Sequence, residues 1–212
     1  VGLWQLDGSL VDSSGNGFTL TASGTNAPRY TDLMPGLRGG VTDIVDDLRF
    51  ERTVNDAALD ISGDLTIEVL ISARNVPTAT AMEILSMGST TDTAYRMLFT
   101  EHRTSFIHKA ASSQNSVDFF EQIPPRQPSH LAFRRSGTDI SLFLNGVLID
   151  TLAIAGSAAA NAASRFRIGR GDLDANDLDA IVASVKVIAS ALTDDEIKAE
   201  YNRTLGPVYG VL

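Results

Sequence analysis

The chain's densest set of oxygen ligands is G-R-G-D-L-D-A-N-D-L-D-A, residues 169–180. Asp172, Asp174, Asn176, Asp177 and Asp179 place carboxylate and amide oxygens at the close spacing that calcium uses. Counted from Asp172 as an EF-hand loop, the sixth position is Asp177 where glycine is needed. The twelfth is Ala183 where the bidentate glutamate belongs. The expectation is therefore a looser calcium site held by Asp172, Asp174, Asn176 and Asp177, set against a solvated acidic loop in which Asp179 caps the last strand. Asp46 and Asp47 form a second acidic corner. The loop also contains Arg170-Gly171-Asp172, the tripeptide that integrins read on tight turns. Chance recurrence of a tripeptide in a chain this long makes it weak evidence.

Other chemistries find little support. His102, His108 and His130 do not fall in a metal-ligand spacing and read as surface or half-buried histidines. There is no G-x-S-x-G elbow, and Gly169-Arg170-Gly171 lacks the residues that complete a phosphate loop. The absence of cysteine removes disulfides, thiolate metal sites and cysteine nucleophiles together, a composition that suits a bacterial or phage protein. Asn202-Arg203-Thr204 is a glycosylation acceptor pattern that matters only on a eukaryotic secretory route. Trp4, the sole tryptophan, could be a sugar-stacking platform, but a packed aromatic in a terminal strand is the favoured reading.

A net charge of -9 over 212 residues disfavours nucleic acid, which needs clustered Lys and Arg to displace counterions. No run of roughly 18 apolar residues is present, so no membrane span is expected. Nor is there a basic-then-apolar leader of the secretory type. The length suits one sizeable core, and we expect a single domain over 1–205 followed by an apolar tail, 206–212.

The positioning elements are strands. Residues 129–152 read as a three-stranded meander: Leu131 and Phe133, then Ile140, Leu142 and Leu144, recur with period two, and Asn145-Gly146 makes the second turn. Residues 65–71 form a strand with Leu65, Ile67, Val69 and Ile71 on one face and Thr66 and Glu68 on the other. Shorter strands are expected at 1–6, within 41–51, at 82–87, 95–100, 104–109, 117–122, 165–169 and 180–188. Residues 25–40 and 52–63 read as loops, 123–128 as a stiff proline connector, and 153–164 as an Ala/Gly/Ser surface loop. Thr193-Asp194-Asp195-Glu196 is a capping box that starts one short helix, ending near Asn202.

Four motifs in order carry a resemblance. These are D-S-S-G-N-G (12–17), G-D-L-T-I-E-V-L-I (63–71), the pair H-L-A-F-R-R-S-G and I-S-L-F-L-N-G-V-L (130–148), and R-I-G-R followed by D-A-I-V-A-S-V-K-V-I-A-S-A-L-T-D-D-E-I (167–197). The chain resembles the laminin-G-like family of concanavalin A-type jelly rolls. The resemblance implies an all-β fold, an antiparallel two-sheet sandwich with one short C-terminal helix, and loop carboxylates that can hold calcium.

It does not fix a function, because this fold carries lectins, adhesion modules, glycosidases and virion parts. The β-glucanases of this fold use carboxylates in a pattern resembling E-x-D-x-x-E, which this chain lacks. Asp43-Ile44-Val45-Asp46-Asp47 has no glutamates, and Glu68 stands alone on its strand. The expectation is a non-catalytic recognition or adhesion module, extracellular or on a virion surface, binding a glycan or protein at the concave face or loop rim. The alternative is a structural virion module, a phage decoration, tail or fibre part that binds neighbouring subunits as a homo-oligomer.

Overall fold

Alternating and doubly apolar strands of this kind can bury their side chains only by stacking as layers. The computed structural model describes residues 1–43, 45–52, 57–76, 81–88, 93–110, 113–154, 165–171 and 176–206. The described residues form β1 (Gly2–Gln5), β2 (Thr21–Ser23), β3 (Tyr30–Met34), β4 (Leu37–Thr42), β5 (Arg49–Glu51), β6 (Leu65–Ala73), β7 (Met82–Gly88) and β8 (Thr93–Phe99). They continue with β9 (Thr104–Ala110), β10 (Ser113–Phe119), β11 (Ser129–Ser136), β12 (Asp139–Leu144), β13 (Val147–Ala153), β14 (Arg165–Ile168), β15 (Ala180–Ile188) and helix α1 (Asp194–Thr204). One antiparallel sheet runs β13-β12-β11-β6-β15-β4-β3, with β1 also paired to β15; the second runs β10-β9-β8-β7-β14-β5-β2.

The expected sandwich is thus present, and one core cluster between the sheets extends from Trp4 to Val187. Trp4 is fully buried, stacks on Phe166 with centroids 4.8 Å apart, and donates its indole N–H to the Phe18 carbonyl at 2.7 Å, so it is core and not a sugar platform. The strand expected at 117–122 runs instead from Ser113 to Phe119, and Phe120 beyond it is 89% exposed.

The first sheet is buried on both faces around β6. Leu65, Ile67, Val69 and Ile71 enter the core, while Leu70 and Ala183 on the outer face pack beneath Tyr201 and Leu205 of α1. Ile197 packs on Ala132 and Phe143. The helix starts as expected: Glu196 N–H donates to Thr193 Oγ1 at 3.3 Å, and Thr193 N–H donates to the Glu196 carboxylate at 2.8 Å. Asn145 and Gly146, with φ of 53° and 73°, make the tight turn between β12 and β13.

One expectation fails. Residues 25–40 are not a continuous loop, because β3 and β4 form a hairpin through Pro35-Gly36, where Gly36 takes φ of 82°. Gly39 and Gly40 are strand residues: a Cβ at 39 would lie 2.8 Å from the Val182 carbonyl oxygen, and one at 40 would lie 2.7 Å from the Phe50 ring. The glycines mark close backbone approach and not a loop. At the far margin, β13 is an edge strand exposing Val147, Leu148 and Ile149, and a register shift opposite Leu142 and Phe143 leaves Ile149 bulged.

Candidate functional site

Antiparallel order brings the end of β4, the end of β6 and the start of β15 to one rim of the helix-covered sheet. Their flanking residues surround a cleft of about 640 Å³. Leu33, Val45 and Ile181 supply its apolar wall; Asp43, Ser72, Arg74, Asn75, Arg126 and Asp179 supply its polar groups. Arg74 sits between the two aspartates, its Nη2 2.9 Å from Asp43 and 2.5 Å from Asp179. Arg29 binds Asp43 at 2.8 Å and Asp46 at 2.9 Å. The Asn75 amide donates to the other oxygen of Asp179.

Burial pushes the Asp43 carboxyl upward, but the Val45 N–H and the Arg74 and Arg29 guanidiniums together hold it below the ordinary value. Asp43 is therefore a fixed anion, already spent on two arginines and a backbone donor. Arg126 differs from Arg29 and Arg74. It is exposed, adopts φ of 59°, and among the described residues its side chain donates to the Arg74 carbonyl alone, at 3.4 Å.

The outer face of the second sheet carries a cross-strand row Thr21, Glu51, Arg167, Ser86 and Arg96. Glu51 is held by Arg49 at 3.5 Å and Arg167 at 3.4 Å; Glu83 is held by Arg96 at 3.1 Å and by the Asn176 amide at 3.1 Å. Both glutamates are buried. Carboxylates tied to arginine in this way lack the free acid and base pair that glycoside hydrolysis needs.

The residues singled out in the sequence are scattered. Asp172 and Asp174 lie outside the described residues. Asn176 donates its amide N–H to Glu83, and the Asp177 carboxylate lies 3.4 Å from Arg170 Nε. Among the described residues no group of three ligand side chains converges on a point. Arg170 pairs with Asp47, which places the described part of the Arg-Gly-Asp tripeptide against the acidic corner. Asp179 does precede the last strand, but its carboxylate serves the cleft.

His108 is buried, and His130 lies under α1, its Nε2 3.4 Å from Glu68. His102 is exposed beside Glu101. Asn202 and Thr204 of the acceptor pattern lie within α1. Sequence reasoning missed Arg29, Arg74, Asn75 and Arg126, which come from segments with no motif. The one available signal was the charge of Asp43 and Asp179, each flanking a strand that could be assigned.

A family profile of laminin-G type, described as the concanavalin A-like lectin/glucanases superfamily, matches residues 51–198. The chain belongs to this superfamily. No curated protein sequence matches the superfamily member described here. Among solved structures it is similar to domain 4 of an extracellular arabinanase from Geobacillus stearothermophilus, solved with arabinotriose, at 17% identity and a TM-score of 0.73. That match covers 93% of this chain and 96% of the other. It is also similar to the receptor-binding domain of botulinum neurotoxin mosaic serotype C/D, at 12% identity and a TM-score of 0.76, covering 97% of this chain and 51% of that one. The binding domain of botulinum neurotoxin DC, solved with rat synaptotagmin II, matches at 15% identity and a TM-score of 0.73, over 96% and 51%. The chain spans about half the length of these toxin domains. At such identities the likeness is one of fold. No helix among the described residues is long and apolar enough to cross a membrane.

Proposed function

We propose that this chain is a non-catalytic, extracellular recognition module that binds a glycan in the rim cleft. The observation that carries the reading is the cleft itself: about 640 Å³, with an aliphatic wall and polar groups fixed by mutual ion pairs. That volume lies in the usual range for small-ligand sites, and pre-set polar groups orient a ligand without being ordered at its expense. Leu33, Val45 and Ile181 suit the C–H faces of a sugar ring, while Ser72 and Asn75 suit its hydroxyls.

The arginine-bound carboxylates, here and on the second sheet, support binding over hydrolysis. The arabinotriose in the arabinanase domain adds to the glycan reading, since that domain is matched over nearly its whole length. A glycan array, followed by calorimetry of the hits with wild type and Ile181→Trp, tests this. The bulky indole should fill the cleft and abolish binding while leaving the melting temperature near wild type. Unchanged saccharide affinity in the variant, or binding of protein ligands alone, would overturn it.

A further inference from the structure

Which saccharides the cleft prefers can be read from the hydrogen-bonding capacity it has not already used. Asp43 receives Arg29, Arg74 and the Val45 N–H; Asp179 receives Arg74 and Asn75. Asp43 has little left with which to receive sugar hydroxyls, and the negative charge of Asp179 is offset by Arg74 although its Oδ1 makes no hydrogen bond among the described residues. Arg74 has its charge neutralised by both aspartates through Nη2, which also reaches the Thr42 carbonyl at 3.3 Å, although its Nε has no hydrogen-bond partner among the described residues. Arg126 is not neutralised in this way. Its guanidinium lines the same cleft, is exposed, and has no carboxylate partner among the described residues.

The Arg126 backbone is held in the left-handed region, which non-glycine residues seldom adopt, and its N–H donates to the Ala73 carbonyl at 2.7 Å. The side chain's origin is thereby pinned at the cleft mouth. Among the described residues no aromatic ring lines the cleft, so its aliphatic side chains are what a sugar ring would lie on. Among the described residues the one exposed large aromatic is Phe120, which is not a cleft residue.

We infer that the ligand is an anionic saccharide, whose acidic group forms a two-pronged pair with Arg126 while its ring lies on Leu33 and Ile181. The guanidinium fork matches a carboxylate or a sulfate edge, and the ring contact supplies the aliphatic half of recognition. This inference rests on the glycan reading of the same cleft.

The test is calorimetry with trisaccharides of galacturonate, glucuronate and mannuronate, their neutral methyl esters, and a sulfated trisaccharide, against wild type, Arg126→Gln and Ile181→Trp. Wild type should bind one acidic trisaccharide at least about tenfold tighter than its neutral counterpart, a difference of about 1.4 kcal/mol. Arg126→Gln should lose that preference and keep the affinity for the neutral form, and added salt should erode it in wild type alone. Preference for the sulfated over the carboxylated ligands, or the reverse, identifies the acidic group. Equal binding of acid and ester, or a preference that survives Arg126→Gln, overturns the inference and leaves the glycan reading standing. If no saccharide on the panel or the wider array binds, both fall.

Discussion

The outer face of one sheet carries two ionic clusters with opposite fates. Under α1, Glu68 meets His130 at 3.4 Å and Lys186 at 3.6 Å, and Lys186 also meets Glu200 at 2.5 Å. At the rim, Arg74 joins Asp43 to Asp179 with similar chemistry. The side chains of Glu68 and His130 are 4% and 3% exposed, whereas that of Arg74 is 39% exposed. The difference is the lid. Helix α1 lays Ile197, Tyr201 and Leu205 over the strand centres, and the Thr66 hydroxyl bonds Ser190 and Leu192 to fix the approach to it. Similar ion pairs thus lie sealed beneath a helix at one place and line an open cleft, the proposed binding site, at the other.

Substitutions should separate the two clusters. The largest effect is expected from Glu68→Ala, which takes away the acid beside buried His130 and one of the two carboxylates that meet Lys186, and should cost about 1–3 kcal/mol, read from urea denaturation. A loss below about 1 kcal/mol would mean that water reaches the cluster.

Glu200 should show the next effect, through pH. Burial raises its carboxyl, but Arg203 and Lys186 outweigh burial and hold it below its ordinary 4.5. A carboxylate depressed in the folded state stabilises above its unfolded value and loses that contribution as pH falls through the folded one. Thermal midpoints should therefore drop on acidification below about pH 4.5, and less steeply in Glu200→Gln. A parallel decline in both proteins would remove Glu200 from the account.

Arg74→Ala should reverse the balance between stability and binding. Its pairs are part-exposed, so stability should fall by about 1 kcal/mol or less, while saccharide affinity should fall by at least about tenfold as Asp43 and Asp179 lose their shared partner. Calcium should do least. With the Asp177 carboxylate facing Arg170 and no group of three acidic or histidine ligands converging among the described residues, melting curves in calcium and in chelator are expected to coincide. A rise in calcium would assign a metal to Asp172 and Asp174.

What could be read from the sequence was local. The period-two runs of β6 and β11, the Asn145-Gly146 turn and the Thr193 capping box all depend on neighbours within a few residues, and each stands where expected. The β3–β4 hairpin was missed because Gly39 and Gly40 look like breakers until Val182 and Phe50 are seen against them.

The cleft was hidden for a related reason. Asp43, Arg74, Arg126 and Asp179 are up to 136 positions apart in chain order, and only the pairing of β15 with both β4 and β6 brings their strand ends together. Asp179 was legible as a strand cap and Asp43 as the first member of a run without the glucanase glutamates. Neither reading holds the arginine that gives both of them their role.

The bulge on β13 has a consequence for self-association. An edge strand that exposes Val147, Leu148 and Ile149 in succession would be a template for another chain's backbone if it were straight. Ile149 interrupts the ladder, and Asp150 follows it as the strand's single charge. One kink and one carboxylate are therefore the features of this edge that oppose strand addition by a second copy.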